Sequence, residues 1–492
     1  MVVAAATGIP VPAGAQDLAG DVRRAISQLK AGETKVGVCI IDVPSGRVLA
    51  DVRADEQFIP ASNMKLLTSG TALLTLGPDY QFRTELIASG DRLVVRGSGD
   101  PALGDPEVLK SAVPPMTVDD VLGRLAGAAV TGGVASASEL VIDDRVFDRE
   151  HLHATWNKSN FLHAYSAEVW GLNFHANTLR FFPKPNPQGA GAPPVYEVEP
   201  AADWLSVVNR AQTSTLPQST MWASRAAGDN QFTLLGEIGA LTNVQFDVTV
   251  HDVPQFFGRL LAQRLQKAGV KIAGAGARPA VRVVRQDESL APGRVLAVVT
   301  TPLPVVLRRC NTNSENLYAE SLLKAVGHSV THEAGSWSNG TAVIRMVLTE
   351  KLGPGAAAVT EIADGSGLSR HNRLTPRTLA SWLRFMAGAP GAGVYVASLA
   401  EPGKPGTLER RFRGVRLENT LSGKSGYINH VRTLSGYLTH PSTGHRVAFS
   451  ILANDVSNEA DASVLRLHEE IVKAADEWLA RRASVEQPKN GG

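Results

Sequence analysis

A serine followed three residues later by a lysine can pair a nucleophile with its base, because residues three apart on a helix share a face and the amine can reach the hydroxyl. Three such pairs occur: Ser27/Lys30, Ser62/Lys65 and Ser321/Lys324. Their settings separate them. Ser62 follows Pro60-Ala61 at the first turn of a helix that is apolar on nearly every face, whereas Ser27 and Ser321 are expected in the middle of amphipathic surface helices. Ser62 is therefore the one placed to react. To accept its proton, Lys65 must titrate well below the ordinary lysine value of about 10.4, and burial, the positive end of the helix and a second nearby cation all push that way.

Lys424-Ser425-Gly426 offers that cation, and it directly precedes the C-terminal hairpin, so it is expected on an edge strand. Ser314-Glu315-Asn316 precedes a helix over 317–326, where a hydroxyl and an amide can project into a cleft. Other patterns fall away. Gly423-Lys424-Ser425 ends like a P-loop but has Glu418 where the first glycine should stand, and Gly97 to Ala102 is broken for dinucleotide binding by Pro101. His151 and His153 have loop or strand spacing and read as ordinary side chains rather than metal ligands. Cys39 and Cys310 are too few for a disulfide framework. No metal and no cofactor is implied.

The elements that must position these residues come from both ends of the chain. A short helix over 17–29, a hairpin over 36–52 and the helix from Pro60 to Gly77-Pro78 open it; a hairpin over 432–454 and an amphipathic helix over 461–482 close it. The simplest assembly joins the two hairpins in one antiparallel sheet with both terminal helices on one face. Between about Phe82 and Val295 the texture changes to short strands punctuated by Gly and Pro, an insertion of mostly β character. The expected division is 17–81 with 295–482 as one discontinuous domain, 82–294 as inserted accessory domain or domains, and 483–492 as a disordered tail. The small, apolar residues 1–16, with Ala13-Gly14-Ala15, read as the remnant of an export signal.

Composition bounds the function. The 492 residues are 43% hydrophobic and 20% charged, enough for a large core. Lys and Arg number 49 against 47 Asp and Glu, a net +2 that gives no electrostatic reason to expect nucleic acid as a partner. No apolar run is long enough for a transmembrane helix, while peripheral membrane contact and oligomeric state stay open.

The set SxxK, SxN and KSG, in that order, is the one found in active-site serine β-lactamases and penicillin-binding proteins. The chain resembles the low-molecular-mass, class C penicillin-binding proteins, the D-alanyl-D-alanine carboxypeptidase/endopeptidase family. The phrases around Phe58 to Ser69, Gly97 to Pro101, Ser314 to Glu320, Asp364 to Ser369 and Gly423 to Tyr427 agree with it. Roughly 250 residues separate Lys65 from Ser314, more than a compact β-lactamase needs, which fits the family's inserted domains. The resemblance implies an α+β fold, a serine β-lactamase/transpeptidase-like domain whose antiparallel sheet has helices on both faces plus a helical lobe.

It also implies a mechanism. Ser62 would attack the penultimate D-Ala carbonyl of a peptidoglycan stem peptide, with Lys65 as base. The N–H groups of Ser62 and Tyr427 would form the oxyanion hole, Ser314 would relay the proton, and Asn316 would fix the peptide. Lys424, Ser425 and Gly426 would bind the terminal carboxylate. β-Lactams would acylate Ser62, and the enzyme would work exported, in the bacterial periplasm or envelope. Asn160 stands where an aspartate of the family often meets a substrate amine; Glu315 and Ser425 replace the usual Asp and Thr of the second and third motifs. Glu315, Tyr318 and Glu320 are expected to serve the helix, and the glycines of 364–369 a tight turn. The competing readings are a β-lactamase or esterase on the same fold and a non-catalytic cell-wall-binding scaffold.

Overall fold

The computed structural model describes residues 17–30, 32–239, 244–275 and 278–486; the expected export-signal remnant, 1–16, lies outside them. The chain divides into two compact units: one from the residues up to Asn63 with Arg373–Gly388 and everything from Leu399 onward, the other from Met64–Asn372 with Ala389–Ser398.

In the first unit the two hairpins do join. Strands Val48–Val52, Lys35–Asp42, Arg446–Asn454, Val431–Thr439 and Thr420–Ile428 lie in that order in one antiparallel sheet. Strand Lys35–Asp42 is apolar at nearly every position because both its faces are covered. Val36, Val38 and Ile40 point to the helices Leu18–Gln28 and Asp461–Glu486, whose Val464, Leu467 and Ile471 share their core. Cys39 and Ile41 point the other way, to Ala380 of helix Pro376–Met386. Helices thus cover both faces. The last helix continues to Glu486, four residues into the segment expected to be a tail. Thr420–Ile428 is the edge strand that carries Lys424 to Tyr427, as its place before the hairpin predicts.

The second unit holds the helical lobe and the segment 82–294. Helix Met64–Leu76 is buried without interruption from Met64 to Leu73. It packs against helix Asn316–Thr331, which in turn packs on Trp337–Leu352. This sandwiching corrects one expectation. Ser321 and Lys324 do not lie on an amphipathic surface helix; both are buried, because Asn316–Thr331 is covered from Leu317 to Gly327. The Lys324 ammonium is compensated there by Asp148 at 2.6 Å, the Glu150 carbonyl at 2.5 Å and the Trp337 ring at 3.9 Å. Ser27, by contrast, is exposed near the end of its helix.

Segment 82–294 is less purely β than its Gly/Pro texture predicts. Its five-stranded mixed sheet runs in the order Val281–Val283, Leu140–Asp143, Arg92–Arg96, Gln81–Ser89, Arg294–Pro302. Two long helices, Val118–Thr131 and Val253–Lys267, contribute Leu122, Leu125, Phe257 and Leu261 to the same core. Thr117 and Asp120 cap the first reciprocally, a start signal legible in the sequence. Cys39 and Cys310 form no disulfide.

Candidate active site

Ser62 sits in the short 3-10 turn Ala61–Asn63 of the first unit, entered through Ala61 at φ 45°, a left-handed conformation that a non-glycine residue holds only when its surroundings enforce it. Two hydrogen bonds supply that enforcement. Asn63 Nδ2 donates to the Lys424 carbonyl at 2.6 Å, and Thr433 Oγ1 donates to the Pro60 carbonyl at 3.0 Å. The turn is thereby held on the edge strand. A Cβ built on Gly426 would lie 3.0 Å from the Ser62 nitrogen, so the strand has glycine where the turn comes closest.

The strand presents two kinds of group there. Successive side chains alternate between faces, so Lys424 and Gly426 share the face on which the turn sits. Gly423 exchanges both its N–H and its carbonyl with Ala400 on the open edge, at 2.8 and 2.9 Å. The same period of two directs the N–H groups of Ser425 and Tyr427 to that open edge rather than to strand Val431–Thr439. Lys424 is buried, with Nζ donating to the Ser425 carbonyl at 2.7 Å. The Tyr427 ring is 58% exposed and carries the Arg432 guanidinium 3.6 Å above it.

The second unit places Lys65 and the second motif together. Lys65 is fully buried, and Nζ donates to Asn316 Oδ1 at 2.7 Å and to the Ser366 carbonyl at 2.8 Å. Burial pushes its pKa down, and the charges around it, Cys310, Glu320, Asp364 and Glu315, push back up. Burial is the largest cause of that downward shift. Each of these acceptors takes one hydrogen of the amine and fixes where it sits. Asn316 opens its helix and uses its other amide end on the Tyr165 carbonyl, at 2.8 Å. Ser314, two residues earlier, is half-buried and held at φ 67°, a second left-handed residue among the motifs.

Several groups in this arrangement have no place in the motifs. Ser366 reaches Lys65 through its carbonyl, and its loop is fastened by Glu320, which accepts from Ser366 N at 2.7 Å, Gly365 N at 3.0 Å and Trp337 Nε1 at 2.8 Å. Asp364 closes the loop by accepting from the N–H groups of Gly367 and Ser369, with Gly367 at φ 84°. Burial, then Asp364, raise the Glu320 carboxyl to about 7 against these donors. A carboxylate inside the apolar run Leu317 to Val326 is the one sequence signal that singles it out. Asn160 makes local contacts, to Asn157, Ser159 and His163; its segment reaches Asn316 through Tyr165. His151 stacks on Trp170, and His153 meets Thr155 at 2.8 Å.

An antiparallel sheet covered by helices on both faces, with a serine turn held on its edge strand, is the fold of serine β-lactamases and transpeptidases. Penicillin binding protein 4 (dacB) from Haemophilus influenzae shares it, with a TM-score of 0.71 at 22% identity over 89% of this chain and 94% of that one. Residues 18–481 match the D-Ala-D-Ala carboxypeptidase 3 (S13) family, and the chain belongs to that family. It is 31% identical over 458 residues to the D-alanyl-D-alanine carboxypeptidase of Actinomadura sp. (strain R39), covering 88% of this chain and 81% of that protein. It is 23% identical over 452 residues to D-alanyl-D-alanine carboxypeptidase DacB of H. influenzae, covering 86% of each. The protein is a serine-type D-alanyl-D-alanine carboxypeptidase, as the motifs imply.

Proposed function

We propose that this enzyme acts on peptidoglycan stem peptides, removing the terminal D-alanine or cutting a crosslink, through an acyl-enzyme on Ser62. The observation that carries the reading is the buried Lys65 amine, hydrogen-bonded to Asn316 of the second motif at 2.7 Å. Ser62 Oγ attacks the carbonyl carbon of the penultimate D-Ala while its proton passes to Lys65. Negative charge on the carbonyl oxygen is taken by the N–H groups of Ser62 and Tyr427, the latter on the open strand edge; a donor of this kind contributes about 2.7–4 kcal/mol in other enzymes. The C–N bond then breaks, and Ser314 relays a proton to the departing D-alanine amine. Water attacks the ester, its proton returns to the serine oxygen, and the shortened peptide leaves.

Asn316 orients the peptide backbone, and Lys424, Ser425 and Gly426 receive the terminal carboxylate. Asn160, an amide where the family often has a carboxylate, is a substrate-binding residue without the charge that would pair a substrate amine. The catalytic domain is the discontinuous 17–81 with 295–482 read from the sequence, less strand Arg294–Pro302, which pairs with Gln81–Ser89 in the sheet of the insertion 82–294. Among the described residues no helix is long and apolar enough to cross a membrane, and the working place that suits the substrate is the bacterial envelope or periplasm.

β-Lactams imitate the D-Ala-D-Ala bond and acylate the same oxygen; the H. influenzae structure has also been solved complexed with a novel β-lactam. The test is intact-protein mass after incubation with benzylpenicillin, on the unsubstituted protein and on Ser62→Ala. A stable gain of one penicillin that disappears in the variant is the expected result. Rapid penicillin hydrolysis without an adduct would instead make the protein a β-lactamase. Neither adduct nor hydrolysis would leave a wall-binding scaffold.

A further inference from the structure

A cavity of about 470 Å³ opens within residues 204–278 of the second unit, alongside helix Val253–Lys267, and shares no residue with the serine and lysine motifs. That volume suits a sugar or amino-acid residue rather than a bare ion. Two arginines line it. The Arg259 guanidinium, half-buried, lies 3.8 Å over the Trp204 ring, whose edge is set by Phe256 at a centroid distance of 5.2 Å. Arg278 is exposed at the same cavity.

Among the described residues neither arginine has an ion pair or a side-chain hydrogen bond, which sets them apart from their neighbours. Arg264 on the same helix is paired with Asp119 at 2.5 Å, and Arg282 with Glu139 and Glu288, both at 2.8 Å. The carboxylates of the cavity are occupied elsewhere. Asp229 Oδ1 accepts from the backbone of Asn230 at 2.6 Å and of Gln231 at 3.1 Å, and Asp252 caps the helix through Gln255 N at 3.2 Å. Burial and the nearness of Arg278 push the Arg259 pKa below the usual arginine value, as two guanidiniums without a counter-charge must. An aromatic ring under one fork of donors, with a second fork beside it, is a geometry matched to planar or tetrahedral oxyanions.

We propose that Arg259 and Arg278 form a second binding site, for a carboxylate or phosphate borne on a cell-wall polymer. The polymer class rests on the function proposed above; the oxyanion chemistry does not. Such a site on the insertion would hold the polymer while the serine works on its peptides.

The test is co-sedimentation of the full chain, carrying Ser62→Ala to prevent turnover, with insoluble cell wall. One portion of wall is untreated and one is stripped of phosphodiester-linked polymers. Adding Arg259→Gln and Arg278→Gln together should weaken sedimentation roughly tenfold, the loss expected for charge-assisted hydrogen bonds. Arg278→Gln alone, at an exposed position, should weaken it severalfold with no change in melting temperature, which separates binding from folding. A loss confined to untreated wall identifies phosphate; a loss on stripped wall as well identifies a stem-peptide carboxylate. Equal sedimentation of parent and variants, or no sedimentation of the parent on either wall, overturns the proposal. In the Ser62-intact background both arginine variants should take up penicillin like the parent. A parent that fails to do so would refute the acyl-serine reading and leave the sedimentation result readable.

Discussion

The main-chain carbonyl of Ser366 accepts a hydrogen bond from Lys65 Nζ at 2.8 Å. The amine is therefore positioned by a loop rather than by its own helix alone, and that loop is fastened from behind by the buried carboxyl of Glu320. Besides its charge, which raises the Lys65 pKa, Glu320 acts on the amine by holding the Ser366 main chain.

Glu320→Gln should lower the acylation rate constant for benzylpenicillin on the order of tenfold to a hundredfold, the cost of a small misplacement of a reacting group. The glutamine offers one acceptor and brings two hydrogens toward N–H groups that already donate. The pH profile distinguishes positioning from bulk stability. With Glu320 raised to about 7, protonation on the acid side of neutrality removes an acceptor, so acylation should fall as pH drops through about 7. In the variant the part of the limb due to Glu320 should vanish, leaving that of the Lys65 base. An unchanged profile in Glu320→Gln would refute this role.

Gly426→Ala tests the approach of the serine turn to the edge strand. The added methyl would overlap Thr433 Oγ1 and stand 3.0 Å from the Ser62 nitrogen, so either the turn or the strand must shift. Gly423→Ala, three residues earlier on the same strand, meets nothing nearer than 3.4 Å and serves as the control. We expect the first substitution to slow penicillin acylation at least tenfold, as a displaced oxyanion donor does, and the second to leave it within about a factor of two. Equal rates in the two variants would show that the turn is not held as described.

Much of this site is legible in sequence because its parts are local. Ser62 and Lys65, Ser314 and Asn316, Lys424 to Gly426 are short spacings beside element boundaries marked by Pro60, by a helix start and by a hairpin. The sheet is legible for the same reason: Pro44-Ser45-Gly46 and Pro441 to Gly444 announce its turns. What is not legible is held by atoms common to every residue or by long-range burial. The carbonyls of Ser366, Tyr165 and Lys424 carry no sequence signature, yet they fix Lys65, Asn316 and the Ser62 turn. Asn63, lying between nucleophile and base, reads as filler. Ser321 and Lys324 read as surface because periodicity describes one helix, while their burial comes from the helices packed around it.

The two buried lysines should therefore respond differently to the same substitution. Lys65→Met removes the base and should cut penicillin acylation by about a hundredfold or more, the range of general-base catalysis. It should also cost about 1–3 kcal/mol of stability, because Asn316 Oδ1 and the Ser366 carbonyl lose their donor, so the two lysines are told apart by acylation in the folded protein. Lys324→Met leaves Asp148 and the Glu150 carbonyl without their donor, and should cost about 1–3 kcal/mol of stability while the folded protein still acylates. Denaturant melts alongside adduct formation by mass decide it. Loss of acylation in a fully folded Lys324→Met protein would mean that the second Ser-x-x-Lys pair shares in the chemistry.

Acid stability gives the last prediction. His468 on the C-terminal helix is fully buried, both its ring nitrogens lack a hydrogen-bond partner among the described residues, and burial followed by Arg411 and Arg432 lowers its pKa to about 3. In the unfolded chain the same ring protonates near 6.5. Between about 6.5 and 3 the unfolded state holds a proton that the folded state does not, so stability falls as pH drops through that window; above it neither state is protonated and the effect disappears. His151, lowered to about 4 chiefly by burial, adds a second contribution of the same sign. His468→Leu should flatten this acid limb without removing it, recovering on the order of a few kcal/mol at pH 4 relative to the parent. At pH 7.5 the two proteins should differ little, since the leucine satisfies a site with no polar partner to lose. Denaturant melts of both proteins at the two pH values measure the difference, and identical acid limbs would show that His468 takes up its proton in the folded state as readily as in the unfolded one.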